Sequence, residues 1–230
     1  MPSYRKKQTF LHSFKGDPSV KDIIESLGVP HTEVDLILVN GRSVGFSFKP
    51  SGGDHISVYP VFESLDITEL THLRHKPLRT VKFIADVHLG KLVRYLRLLG
   101  FDTLYNRDFN DHEIVDISLA EKRIILTRDR QLLKHRRITH GYWIRSSDPG
   151  VQIREVIQRF DLRNNLKTFT RCMDCNGMLM EISKDEVSAD LLPRTRQYYQ
   201  LFYKCESCRK IYWEGSHFEN MKKAIRNLFE

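Results

Sequence analysis

Four cysteines lie in the last third of the chain, and their spacing is typical of a metal site. Cys172 and Cys175 form one CxxC pair, and Cys205 and Cys208 form a second pair after 29 intervening residues. Four thiolates complete a tetrahedral zinc site and leave no open position for water. The sequence therefore predicts a structural zinc ion, which occupies all four cysteines and leaves none as a nucleophile.

Three aspartates fall at the junctions where predicted strands give way to helices. Asp86 follows the apolar run VKFIA, Asp129 follows RIILT, and Asp111 opens the helix after the second strand. In an open parallel sheet, binding sites lie beyond the carboxyl ends of the strands. Carboxylates gathered there repel one another unless a cation separates them, and Mg²⁺ or Mn²⁺ takes such oxygen ligands. Asp108 and Glu113 are further candidate ligands because they are close in sequence.

Each aspartate also has a purely structural interpretation. Aspartate is favoured at the start of a helix because it accepts a hydrogen bond from an otherwise unpaired backbone N–H. A single aspartate at such a position indicates a helix cap. Three of them at one predicted sheet edge favour a metal site.

Basic side chains accompany the aspartates in sequence. The candidate RNA contacts are Lys91, Arg94, Arg97, Arg128 and Arg130. A solvated helix face is the common explanation for such a pattern. Acidic strand ends surrounded by cations are also what metal-assisted phosphoryl chemistry requires, because metal ions bridge the scissile phosphate while basic residues hold the flanking backbone.

The elements that must position these residues alternate between strand and helix. Between residues 81 and 165, the predicted strands VKFIA, FDTLYN, RIILT and GYWIR are separated by helical patterns. This order predicts an α/β fold with a parallel sheet. The first 70 residues predict a small mixed sheet with one helix, in SVKDIIESLGV, and an Asn-Gly turn, in DLILVNGRSV. We therefore divide the chain into domains at 1–70, 81–165 and 166–230, with a linker at 71–80.

The charge of the chain favours a polyanionic partner. Its formal net charge is +8, and residues 81–230 contribute +7 of it, with 27 basic and 20 acidic residues. Neutralised phosphates release counterions, so such an excess is suited to nucleic acid. No apolar run is long enough to span a membrane, and the N-terminus lacks the apolar core of a signal peptide. We expect a cytoplasmic protein without membrane association.

The domains at 81–165 and 166–230 together resemble a known nuclease family. The stretches FIADVHLGKLVRYLRLLGFDTLYNRD and DHEIVDISLAEKRIILTRDRQLL resemble the C-terminal ribonuclease domain family named after the worm mutator-seven protein. The resemblance runs from about Lys82 to the C-terminus. It implies a PIN-like nuclease core followed by a zinc ribbon and a C-terminal helix. By position, Asp86, Asp111 and Asp129 align with the acidic metal site of PIN-like nucleases.

The N-terminal segment resembles a different fold. The stretches SVKDIIESLGVPHTEV, LVNGR and GDHISVYPVF resemble ubiquitin-like β-grasp domains, specifically the sulfur carriers. A sulfur carrier needs a free Gly-Gly terminus, whereas Gly52 and Gly53 precede the last predicted strand here. The resemblance therefore implies a β-grasp fold with a structural or protein-docking role.

The function we expect is metal-dependent hydrolysis of RNA phosphodiester bonds, with Asp86, Asp111 and Asp129 as catalytic ligands. Two other functions fit the sequence. The first is a non-catalytic RNA-binding module in which the aspartates only cap helices. The second is an adaptor that binds a protein partner through its β-grasp domain.

Overall fold

The computed structural model describes residues 8–60, 81–215 and 218–219. Contacts divide the chain into two units: Met1–Thr80 with Asn110–Trp143, and Val81–Phe109 with Ile144–Glu230. The predicted linker at 71–80 lies outside the described residues, as does nearly all of the chain end where a C-terminal helix is expected. The domain boundaries drawn from the sequence stay a prediction.

The N-terminal part of the first unit is a three-stranded antiparallel sheet with one helix. Its elements are α1 at Val20–Ser26, β1 at Val34–Val39, β2 at Arg42–Ser43 and β3 at Ile56–Pro60, with the strand order β2-β1-β3. Ser19 and Asp22 exchange hydrogen bonds at the start of α1 and so satisfy its first backbone groups. Asn40 and Gly41 join β1 to β2 with φ values of 52° and 81°, as a two-residue hairpin requires.

Apolar side chains from the helix and from β1 form the core of this part. The buried members are Val20, Ile24, Val34, Ile37 and Val39. Val20 and Ile24 lie one helical turn apart in α1, and Ile37 and Val39 lie two residues apart in β1. Both spacings place these side chains in the same core.

The rest of the first unit supplies half of the α/β core. Its elements are α3 at Asp111–Glu121, β6 at Ile124–Thr127, α4 at Arg130–Leu133 and β7 at Gly141–Trp143. Strands β6 and β7 run parallel, with Ile125 opposite Gly141 and Thr127 opposite Trp143. A Cβ on Gly141 would lie 2.6 Å from the Leu133 side chain, so this strand packs closely against α4.

The second unit supplies the other half of the core. Its elements are β4 at Phe83–Ala85, α2 at Gly90–Leu98, β5 at Thr103–Leu104 and α5 at Pro149–Arg159. Strands β4 and β5 run parallel, and α2 packs against α5. Phe83 is fully buried and meets the rings of Phe101 and Phe160 edge-on. Gly100 ends α2 with φ at 93°, and a Cβ there would lie 2.2 Å from the Lys167 carbonyl oxygen.

The four strands of the core form one sheet in the order β5-β4-β6-β7, so β5 and β7 are its edge strands. The strands pair in parallel, as βαβ connections require. The predicted α/β class with a parallel-sheet core is therefore confirmed.

The ribbon in the second unit is a three-stranded antiparallel sheet. Its strands are β8 at Leu179–Ile182, β9 at Phe202–Cys205 and β10 at Ile211–Trp213, in the order β10-β9-β8. Two short helices, α6 at Lys184–Val187 and α7 at Pro193–Tyr198, lie between β8 and β9. The family resemblance implied a zinc ribbon in this region, but no element was predicted for this insertion.

Across the described ranges 8–60, 81–215 and 218–219, no helix has the length and apolar content needed to cross a bilayer.

Candidate functional site

The sulfur atoms of the four cysteines form a compact cluster in which all lie within 4.8 Å of one another. The Sγ atoms of Cys172 and Cys208 are 3.6 Å apart, and those of Cys175 and Cys205 are 3.4 Å apart. Zn–S bonds of about 2.3 Å in a tetrahedron place sulfur atoms roughly 3.8 Å apart. The cluster therefore fits a structural zinc ion. It is the one group of three or more closely spaced metal-ligand side chains found in the described part of the chain.

The two CxxC turns have the same backbone geometry. We call residues 172–177 the first knuckle and residues 205–210 the second knuckle. In each, the N–H of the second cysteine points to the sulfur of the first, at 3.5 Å in the first knuckle and 3.4 Å in the second. The next residue has a positive φ, 69° at Asn176 and 64° at Arg209. These turns hold the sulfurs at metal-binding distance.

The environment of the thiols shows why a cation is needed. Burial, together with the neighbouring thiols, raises the pKa of Cys208 to about 12. Burial also acts against ionisation of Cys205, but backbone N–H groups and nearby thiols outweigh it and lower its pKa to about 7. Four thiolates at this spacing repel one another, and a divalent metal ion balances their charge.

Arg97 joins the first knuckle to the core. Its side chain is buried, with 3% exposure. Its Nε donates to the Thr103 carbonyl at 2.9 Å, and its Nη1 donates to the carbonyls of Met173 and Asp174 at 3.2 and 2.6 Å. Burial lowers the pKa of Arg97, while the nearby cysteine and aspartate groups act in the opposite direction.

The sequence pattern predicted an RNA contact at Arg97, and the burial of this side chain contradicts that role. The last turn of α2 is enclosed, with Leu96, Leu98 and Leu99 also buried, so residue 97 faces protein. These flanking leucines are the signal in the sequence that separates Arg97 from the cations at 91 and 94.

Asn176 positions the first knuckle against the core, a role that the sequence did not reveal. Its Oδ1 accepts a hydrogen bond from the Thr103 N–H at 3.1 Å, and its Nδ2 donates to Asp102 at 2.8 Å. Arg171 also reaches Asp102, at 3.4 Å. The first knuckle thus supplies partners to the free edge of β5. The available signal was an asparagine directly after a CxxC pair, at a position that requires positive φ.

The aromatic residues after the second knuckle pack into the ribbon. Trp213 packs against the cluster of Val187, Leu191 and Phe202. The Tyr212 hydroxyl lies 3.0 Å from Cys172 Sγ, and burial raises the pKa of Tyr212. Both residues therefore support the ribbon and the cysteine cluster.

Asp86 follows the last residue of β4 and is buried, with 8% exposure. It precedes a single 3-10 turn, Val87–Leu89, and its carboxylate accepts a long hydrogen bond, 3.4 Å, from the His88 N–H. Asp86 is therefore a buried residue at the carboxyl end of β4.

Asp111, Asp108 and Glu113 lie around the start of α3, and all three are exposed. The helix cap is Asn110, which exchanges hydrogen bonds with Glu113 in a capping box, and Asp111 is the first helical residue. Glu113 is therefore engaged by the helix start, which makes it a weaker candidate ligand than Asp111.

Asp129 lies two residues beyond β6 and precedes α4. Its carboxylate accepts a 2.7 Å hydrogen bond from the Gln131 N–H, and its own N–H donates to Thr127 Oγ1 at 2.8 Å. The side chain is exposed. In the described residues the three aspartates do not form a cluster of the cysteine kind. Their role as metal ligands stays a prediction.

Four of the five cations proposed to contact RNA are exposed: Lys91, Arg94, Arg128 and Arg130. Arg128 and Arg130 flank Asp129. The Arg130 guanidinium carbon lies over the Trp143 ring at 5.1 Å from its centroid, and the Trp143 indole N–H donates to the Arg128 carbonyl at 3.2 Å. The sequence analysis did not single out Trp143.

The other edge strand, β7, receives its partner from the β-grasp part of the first unit. The Trp143 backbone N–H donates to the carboxylate of Glu33 at 3.0 Å. In the same 3-10 turn, His31–Glu33, the buried His31 ring lies 2.7 Å from Glu25 and 3.1 Å from the Ile138 carbonyl. Burial lowers the pKa of His31, and its two hydrogen bonds act in the opposite direction.

Comparison with known families gives two matches. Residues 81–225 match the family model of the Mut7-C RNAse domain, and residues 1–66 match that of the Mut7-C ubiquitin domain. The first match covers more than half of the chain. No curated protein and no solved structure matches this chain.

Proposed function

Because the chain belongs to the Mut7-C RNAse domain family, we propose that it hydrolyses RNA phosphodiester bonds at a Mg²⁺ or Mn²⁺ site held by carboxylates. Family membership supports a nuclease role in general, and the metal and the residues are part of the proposal. The four-cysteine cluster has no open coordination position, so its zinc ion would be structural.

The observation that carries the proposal is the position of Asp86 and Asp129. Each follows a strand of the parallel sheet, β4 or β6, at its carboxyl end. Sites in open α/β sheets lie beyond these ends. Asp86 is also buried at this strand end, whereas most aspartates lie on the protein surface.

The donor set suits a hard cation. Carboxylate oxygens from Asp86, Asp111 and Asp129 are ligands that Mg²⁺ and Mn²⁺ accept, with water and phosphate oxygens completing the coordination. A metal bound there would activate water and stabilise the leaving oxygen.

The exposed cations would hold the RNA around this site. Lys91, Arg94, Arg128 and Arg130 would bind backbone phosphates, and each phosphate contact would make affinity more sensitive to salt.

The proposal is tested by removing one charge at a time. Asp86→Asn and Asp129→Asn each keep the shape of the side chain and a helix cap, because asparagine caps nearly as well. Mutation of a residue that only hydrogen-bonds to a metal ligand lowers metal affinity or activity by about 10- to 100-fold. Loss of a ligand itself is therefore expected to reduce Mn²⁺-dependent cleavage by roughly 100-fold or more. Asp116→Asn is the matched control, because Asp116 is an exposed aspartate paired with Arg137.

The result also separates the other two functions. Full cleavage by Asp86→Asn and Asp129→Asn would defeat the assignment of the site. Wild-type protein that binds RNA but never cleaves it would favour the RNA-binding module. Wild-type protein that neither binds nor cleaves RNA would favour the adaptor acting through its β-grasp domain. The match of residues 1–66 to the Mut7-C ubiquitin domain is the reason to consider this function.

A further inference from the structure

Trp143 occupies a particular place in the core. It is the last residue of β7 and lies opposite Thr127 of β6 in the parallel pairing. The Thr127 hydroxyl accepts the backbone N–H of Asp129. Trp143 is therefore fixed at the same strand ends as Asp129, and both belong to the first unit.

Hydrogen bonds hold both the indole ring and the backbone of Trp143 in place. Its indole N–H donates to the Arg128 carbonyl, and its backbone N–H donates to Glu33. The exposed Arg130 guanidinium lies over the ring. The guanidinium and the indole thus lie together, and nucleic-acid bases stack on aromatic rings and on arginine planes alike.

We propose that Trp143 and Arg130 form a stacking site for an unpaired base of single-stranded RNA beside Asp129. This proposal rests on the proposed function, since it names the substrate class of that site. In duplex RNA the bases are already stacked and paired, so they cannot occupy such a platform without being extruded. The cations at 128 and 130 would bind phosphates of either form, but the stack would select the single strand.

The stack predicts a graded series of affinities for a short oligouridine. Trp143→Leu should weaken binding roughly 5- to 100-fold, as measured for the loss of one base–aromatic stack. Trp143→Phe should lose less than Trp143→Leu, because it keeps an aromatic ring, although a smaller one without the indole N–H. The same variants should bind a short RNA duplex as well as wild type does.

Arg130 tests whether stacking or charge matters. Arg130→Lys keeps the positive charge but removes the planar guanidinium, so oligouridine affinity should fall while its dependence on salt stays unchanged. The matched control is Arg136→Lys, which makes the same exchange at another exposed arginine of this unit. Equal effects of the two substitutions would reduce Arg130 to a phosphate contact and overturn its part in the stack.

Fluorescence reads the stack directly and without cleavage. The chain has two tryptophans, Trp143 and Trp213. With no Mg²⁺ or Mn²⁺ added, oligouridine should quench the emission of wild type and of Trp213→Phe but not that of Trp143→Phe. Quenching that persists in Trp143→Phe, or no quenching in wild type, would overturn the proposal.

The two proposals fail in different ways. Quenching through Trp143 in a protein that never cleaves RNA would support the stacking site and defeat the nuclease. Cleavage that depends on Asp86 and Asp129, without quenching and with equal activity on duplex RNA, would support the nuclease and defeat the stack. Thermal melts of each variant show whether a loss of binding comes from unfolding.

Discussion

The two edge strands of the core sheet are both closed by side chains, but by different chemistry. At β5, the Thr103 N–H donates to Asn176 Oδ1, and the Thr103 carbonyl accepts a hydrogen bond from Arg97. At β7, the Trp143 backbone N–H donates to the Glu33 carboxylate. The first closure depends on the first knuckle of the cysteine cluster, and the second depends on a turn of the β-grasp part.

An unpaired strand edge invites association with other chains, and natural proteins cover or charge such edges. Here the segments that cover the two edges come from the ribbon and from the β-grasp part, both outside the α/β core. The ribbon and the β-grasp part therefore have structural roles in the core, independent of any partner they bind. The closure at β5 should depend on zinc and positive charge, and the closure at β7 on the protonation state of a buried histidine and its acidic neighbours.

Removal of the zinc site should give the largest effect, and it should disrupt the closure at β5 but not the closure at β7. Structural zinc contributes on the order of 10 kcal/mol to small domains that bind it, so Cys205→Ser should unfold much of the ribbon. The Thr103 amide should then lose its protection against hydrogen exchange, while the Trp143 amide keeps its own. Metal analysis should show about one zinc per chain in wild type. A zinc-free protein that protects both amides equally would contradict this account.

Arg97→Met should give the next largest effect. The substitution leaves three carbonyl groups without their charged donor, and hydrogen bonds to charged groups are worth about 1.5–3 kcal/mol each. We expect the free energy of unfolding to fall by roughly 2–4 kcal/mol, less than the sum of the three bonds, because methionine also removes the cost of burying the charge. Arg94→Met, on the exposed side of the same helix, should change it by less than about 0.5 kcal/mol. Arg94→Met should instead flatten the salt dependence of RNA binding. Equal stability losses would contradict the buried role of Arg97.

The two knuckles supply a smaller and sharper test. Asn176 and Arg209 occupy the same position with positive φ, where glycine is free of strain. Asn176→Gly should nevertheless destabilise the protein by about 1–2 kcal/mol, because it removes the partners of Thr103 and Asp102. Arg209→Gly should be neutral or slightly stabilising. Thermal melts of the two variants measure the value of closing β5, and equal shifts would show that Asn176 matters only for its backbone.

The sequence predicted the parts of the molecule that are determined by local chemistry. Alternating strands and helices gave the α/β core, the Asn-Gly pair gave the first hairpin, and four cysteines gave the metal cluster. Each rests on neighbouring residues or on a donor set with one preferred geometry.

The sequence did not predict what depends on distant segments meeting. Arg97 looked like a surface cation because two of the three carbonyls it binds lie more than 70 residues further on. Asn176 and Glu33 act on strand edges that no local pattern identifies. The aspartates show the same limit, because a helix cap and a metal ligand have the same residue type at the same position.

The closure at β7 should be tested by acid. Burial lowers the pKa of His31 below the value of about 6.5 for a free histidine, so the unfolded chain binds the proton more tightly. Stability from this group is then fully present above about pH 6.5 and is lost as the pH falls below it, by at most about 1.4 kcal/mol per pH unit. His31→Asn should flatten this dependence, whereas His55→Asn, at an exposed position, should not. After correction for the slower intrinsic exchange at low pH, the protection factor of the Trp143 amide should fall on acidification in parallel with the loss of stability, while that of the Thr103 amide should not. If acidification stabilised the protein instead, the Glu25 carboxylate and the Ile138 carbonyl would outweigh burial, and His31 would act as a cation that locks the β7 edge.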